Sequence, residues 1–271
     1  MGIGREVGKT EKLKVLRVNL RIRVETFKGS DVWDTVVIRK ELPTVETAIL
    51  ICDVWDRHWC KSATERVNII ATKINRLIKA ARKNGVQIIH SPSETMDFYA
   101  DTPFRRRIAD IPRITPSSQL DLPSPPLPID DSDGGCDDTP PCKPYRAWTR
   151  QHPLIEIMDP DVISDNGLEI YSFMKSRGIN NLAIMGVHTN MCILNRPFGI
   201  KQMVKWGVRC ILVRDLTDAM YNPRRPPYVS HEKGTELVVE YIEKYWCPSI
   251  LSNDLLKAYS SKSSVRRNMQ D

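Results

Sequence analysis

The 271-residue sequence contains no run of about 18 uncharged apolar residues, the length a helix needs to cross a membrane, so no membrane span is expected. Its first residues, from Met1 to Val18, lack a long apolar stretch followed by a small-residue cleavage site, so no secretory leader is expected. Glu6 stands where a myristoylation signal requires Ser or Thr. Cysteine is scarce and odd in number: seven, at 52, 60, 136, 142, 192, 210 and 247, two of them inside apolar runs. That pattern is not a disulfide framework and implies a reducing, cytoplasmic setting. Zinc-finger spacing and aromatic-interleaved basic repeats are missing. The net charge of +7 is spread widely, with concentrations at Arg105-Arg106-Arg107 and from Lys257 to Arg267, so no nucleic-acid partner is expected.

What is present is a core-sized apolar fraction of 41% with ordinary charge, 27%. Residues 13–41 alternate with period two. Leu16, Val18, Leu20, Ile22 and Val24 share one face, and Lys28–Asp31 turn the chain into a second strand from Trp33 to Ile38. This is a β-hairpin extension over 1–44, covering a core edge or making a subunit contact. The main domain spans 45–252. Ala48–Cys52 is a continuous apolar run suited to a strand buried on both faces. A helix follows, opened by a Ser62/Glu65 capping box, with Ile70, Ile74, Leu77, Ile78 and Ala81 as its buried stripe and Gly85 as its stop. Val86–His90 is the next strand, giving one β-α-β unit. Residues 91–149 form a long proline-rich insertion, the kind of loop that is a functional lid or poorly ordered. Its run Asp130–Asp138 lacks the closing Glu of a calcium loop and reads as a solvated acidic turn.

Regular structure resumes at Leu154–Ile157, followed by a helix over 166–177, a strand over 181–187, a helix from about 198 to 206, a strand over 209–215 and a helix over 231–245. Strands alternating with helices imply an α/β fold, a parallel sheet covered on both faces. Residues 253–271 read as a polar, frayed tail.

In such sheets ligands bind beyond the carboxyl ends of the strands, where strand order reverses. Asp53 ends the first core strand, and Cys192 follows the strand 181–187 through a turn-like exit. If these strands are neighbours, the carboxylate can take the thiol proton. Cys52 and Cys210, inside strands, suit core packing.

The segments Ala48-Ile49-Leu50-Ile51-Cys52-Asp53 and Gly186-Val187-His188-Thr189-Asn190-Met191-Cys192-Ile193 together resemble the two hallmark segments of the isochorismatase-like cysteine hydrolases, over about residues 45–250. The resemblance implies a Rossmann-like six-stranded parallel sheet, an Asp-Lys-Cys triad and a cis peptide at Val187–His188. Carried onto this chain, it implies Cys192 as nucleophile, Asp53 as general base, and an oxyanion hole from the backbone amides of His188 and Cys192. The position matching the family's lysine holds Arg150, which keeps the positive charge but cannot exchange a proton; Arg146 and Lys143 lie near enough in sequence to replace it.

Trp55, His58 and Trp59 are expected to wall the pocket. Pro197 breaks the helix after Cys192 and so turns Asn195 and Arg196 toward the cleft, Arg196 either anchoring an anionic substrate or forming a surface salt bridge. The Asp-x-His…His metal site of nicotinamidases is not matched at His90–Thr95. Asp56, His58 and His90 have metal-ligand chemistry without a spacing that fixes geometry, and neither a metal nor a cofactor is expected. The implied activity is hydrolysis of a C–N bond in a small amide or carbamoyl compound through a Cys192 thioester. The alternatives are vinyl-ether hydrolysis without a covalent intermediate, or a non-catalytic binding protein on the same fold. The expected partners are a small-molecule substrate and further copies of the chain, paired through the hairpin edge.

Overall fold

The computed structural model describes residues 12–117, 119–261 and 264–266. Residues 1–11 of the stretch read for a leader, and residues 262, 263 and 267 of the basic C-terminal segment, lie outside these.

Alternation in the first strand gives the hairpin. Lys12–Glu25 (β1) pairs antiparallel with Trp33–Pro43 (β2), in register from Val15–Pro43 to Glu25–Trp33. Leu16, Val18 and Leu20 are buried, but Val24 is exposed, so the apolar face is used only where the ribbon lies on the core. The run Thr47–Cys52 forms β3, buried at every position. Then follow α1 (Lys61–Arg82), β4 (Gln87–Ser91), the short helices α2 (Met96–Tyr99) and α3 (Pro103–Ala109), β5 (Val162–Ile163) and α4 (Gly167–Ser176). The chain continues through β6 (Asn181–Val187), α5 (Cys192–Asn195), α6 (Ile200–Lys205), β7 (Arg209–Asp218), α7 (His231–Tyr245), β8 (Ser249–Ile250), α8 (Ser252–Ser260) and β9 (Ser264–Arg266).

The strand order is β2-β1-β8-β7-β6-β3-β4-β5, with β9 on β1. Strands β3 to β8 pair parallel to one another, giving the six-stranded parallel sheet. The hairpin is added antiparallel at its edge, where Arg21 meets Ser249. From β3 the chain winds outward to β4 and β5, then returns to β6 on the other side and winds outward to β7 and β8. Strand order therefore reverses between β3 and β6, and a crevice opens beyond their carboxyl ends. Apolar layers cover both faces, one built with α4 to α7, the other with α1 and α8.

Four local expectations change. The amide groups opening α1 are capped by a distant carboxylate and not by Ser62: Asp138 accepts from Lys61 N at 2.8 Å and Ser62 N at 3.2 Å. The third core strand falls at Val162–Ile163, because at 154–157 only Ile155 is buried. The start of the expected polar tail is the helix α8, whose Leu255, Ala258 and Tyr259, at helical spacing, pack into the core. The acidic stretch is no solvated turn, because its charges tie the insertion down. Arg225 donates to Asp130, Asn222 Nδ2 to Asp133 at 2.8 Å, Asn190 Nδ2 to Asp131 at 2.7 Å and Arg66 Nη1 to Asp137 at 2.9 Å.

Candidate active site

Asp53 leaves β3 in the left-handed region, φ 48°, and is fully buried. Its Oδ1 accepts from the Ser93 amide at 2.7 Å, just past the end of β4, and its Oδ2 accepts from Arg196 Nε at 2.8 Å. Cys192 is the first residue of α5, reached from β6 through the cis peptide Val187–His188. Its thiol faces Asp53, and the His188 amide donates toward its sulfur. Gly186 lets the two strand exits close on each other: at φ 116°, a Cβ there would sit 2.0 Å from the Cys52 carbonyl oxygen. Asp53 and Cys192 thus meet at the switch point between β3 and β6.

Burial raises the Asp53 carboxyl above its ordinary value, against the opposing pull of Arg196 and the Ser93 amide. Burial, then the Asp53 charge, pushes the Cys192 thiol well up, while Arg196 acts to lower it. Burial therefore keeps Cys192 as the neutral thiol beside the Asp53 carboxyl. Burial drives His58 down to about 4 and His188 down to about 3, so both imidazoles are neutral near pH 7.

Trp55 is buried, stacks on Trp148 with ring centroids 4.2 Å apart, and lies under the Arg196 guanidinium at 6.0 Å. His58 meets the His188 ring edge-on at 4.9 Å, and Asp53, Trp55, His58 and His188 line one pocket. On the solvent side a cleft of about 410 Å³ is lined by Asp131, Asn190, Cys192, Asn195 and Arg196, among others. Asn195 Nδ2 donates to the Asn190 and Met191 carbonyls, which fixes the turn around Cys192.

Three sequence expectations are corrected by position. Arg150 is exposed; its guanidinium lies over the Phe98 ring at 5.6 Å, and its carbonyl accepts from the Asp56 amide. The guanidinium on Asp53 belongs to Arg196, because α5 ends after one turn at Pro197 and the extended backbone of Arg196 turns the side chain back over Asp53. Trp59 packs against Gly134 and the Cys60–Cys136 cluster, away from Asp53. Asp56, His58 and His90 do not converge. Asp56 is held by Thr149, while His90 is buried between Gln151 and Asp161 at 2.9 Å each, a satisfied core histidine. Ser93 and Trp148 carry no motif of their own. The position of Ser93, just past the end of β4, is the one clue to it in the sequence.

No family model and no curated protein matches the chain. Among solved structures it is similar to a cysteine hydrolase from Pseudomonas syringae pv. phaseolicola: 15% identity, TM-score 0.53, covering 81% of this chain and 94% of that one. It also matches an isochorismatase from Pseudomonas putida at 12% identity and a TM-score of 0.48, over 78% of this chain and 91% of that one. At these identities the likeness is one of fold, an α/β fold shared with the Pseudomonas syringae cysteine hydrolase.

Proposed function

We propose that the chain is a cysteine hydrolase that cleaves a C–N bond of a small amide or carbamoyl compound through a thioester on Cys192. The observation that carries this reading is the convergence of the Asp53 carboxylate, the Cys192 thiol and the Arg196 guanidinium at the strand-order switch point. The Cys192 sulfur attacks the carbonyl carbon while its proton passes to Asp53, whose raised pKa suits it to hold that proton. The oxyanion of the tetrahedral intermediate is taken by backbone amides around the head of α5, the His188 and Cys192 N–H groups. Asp53 returns the proton to the leaving nitrogen, the C–N bond breaks, and the thioester remains. Water, deprotonated by Asp53, then releases the acid and restores the thiol. Arg196 takes the place of the family's lysine: it offsets negative charge on the Asp53–Cys192 pair throughout, without exchanging a proton. Trp55, His58 and Asn195 shape the space in front of the sulfur.

The test is intact-mass spectrometry of the protein mixed with a panel of small amides and carbamoyl compounds and quenched in acid. An acyl adduct mapping to Cys192, absent from Cys192→Ala, is expected. Turnover that persists in Cys192→Ala without any adduct would exclude the thioester route; with vinyl ethers added to the panel, their hydrolysis by Cys192→Ala would favour the non-covalent chemistry, and absence of both turnover and adduct would favour a binding protein.

A further inference from the structure

Three cysteines that the proposed reaction does not use come together where the insertion meets the start of α1. Cys60 immediately precedes the helix, while Cys136 and Cys142 lie on the insertion. Cys60 and Cys136 are buried, with their sulfurs 2.6 Å apart. The Oδ2 atom of Asp138 lies 3.3 Å from Cys136 Sγ and 3.0 Å from Cys142 Sγ. The donor atoms of Cys60, Cys136 and Asp138 all fall within 4.8 Å of one another.

We propose that Cys60, Cys136 and Asp138, with Cys142 as fourth donor, form a site for a tetrahedral divalent ion of the zinc type. Thiolates with one carboxylate are a donor set zinc accepts, and four protein donors make a closed, structural site. A disulfide between Cys60 and Cys136 would use two sulfurs and leave the Cys142 thiol on Asp138 outside the bond; an ion draws on the three sulfurs together with the carboxylate. Binding exchanges the thiol protons for the ion, releasing them to water, and leaves thiolates and a carboxylate around the dication. The surplus negative charge faces compensating dipoles and a cation. The first amides of α1 donate to Asp138, Ser62 Oγ donates to the same carboxylate at 2.6 Å, and Arg66 stands one turn along, on the neighbouring Asp137. The ion would pin the insertion beside the reactive cleft. Gly135 is seated so closely on Met220 that a Cβ would lie 2.3 Å from its carbonyl oxygen, and Asn190 bonds both that carbonyl and Asp131 on the cleft wall.

The full chain, purified reduced and without chelator, is assayed for metal by plasma mass spectrometry, then stripped and titrated with cobalt(II). About one zinc per chain is expected, together with a cobalt–thiolate charge-transfer band that zinc abolishes. Both should be lost in Cys136→Ser and retained in Cys192→Ser, and Asp138→Asn should weaken cobalt binding by about tenfold or more. If Cys136→Ser fails to fold, the cobalt titration of the unaltered chain still decides. Reduced protein that holds no zinc and gives no thiolate band overturns the proposal, as does a Cys60–Cys136 disulfide in protein that binds no metal.

Discussion

At the scale of single residues, the proposed chemistry turns on what surrounds Asp53. It must be ionised to accept the thiol proton, so kcat/KM should rise with pH through a limb above the ordinary carboxylate range, because burial raises its pKa. Arg196 opposes that shift; Arg196→Gln removes the opposition, and the limb should move to higher pH as kcat/KM falls. A pH–rate profile superimposable on that of the unaltered protein would show that Arg196 has no electrostatic part in the step. Asp53 and Cys192 were legible in the sequence because strand-end positions and a specific local segment mark them. Arg196 was legible only halfway. Pro197 announces a broken helix, but whether the freed guanidinium turns to solvent or onto Asp53 depends on how far α5 runs and what lies over it, which is tertiary packing. Arg150 attracted the expectation because it holds the right charge at the right distance along the chain, and the path of the insertion carries it elsewhere.

Among the elements, α1 and the β4–β5 pair are locked by a buried charge network. Asp161, buried against β5, accepts from Arg82 of α1 at 2.9, 3.1 and 2.6 Å and bonds His90 of β4 at 2.9 Å. Burial alone would raise its carboxyl, but the bonds from His90 and Arg82 hold it below its ordinary value. A depressed carboxylate contributes stability that is present above its unfolded pKa, about 3.9, and is lost as pH falls through the folded value. Asp161→Asn should therefore cost about 3–5 kcal/mol near neutral pH, since it strands a buried guanidinium, and the deficit should narrow on acidification. Denaturant unfolding at pH 7 and at about pH 2, below the unfolded carboxylate value, measures both; an unchanged gap would place the stabilisation elsewhere. Periodicity showed that α1 exists and which face it buries, but it could not show this anchor or the cap from Asp138, because their partners lie some 75 residues away. The shift of the third strand has the same origin: a two-residue strand carries too little pattern to compete with the longer apolar stretch before it.

For the whole molecule, a parallel α/β sheet was readable from the alternation of helices and strands, whereas the strand order that makes β3 and β6 neighbours comes from the structure. The hairpin completes the sheet on the β8 side but leaves β2 as its last strand. Val36 and Val37 are exposed along it, and Phe27 stands exposed on the loop just before it. A long unpaired strand edge is a template for pairing, and we expect it to join a second copy of the chain. Sedimentation should show a dimer that Val37→Lys converts to monomer; a monomer at every concentration tested would sink this expectation.

The arginine on Asp53 has one more consequence. With both neighbouring imidazoles neutral and the guanidinium permanently charged, the Asp53–Cys192 pair is left as the acid–base couple of the proposed reaction. It has a single mobile proton to lend, and a leaving nitrogen must wait for the same proton that the nucleophile gave up. Attack and expulsion are thereby forced into sequence, as in a lock with one key passed from hand to hand.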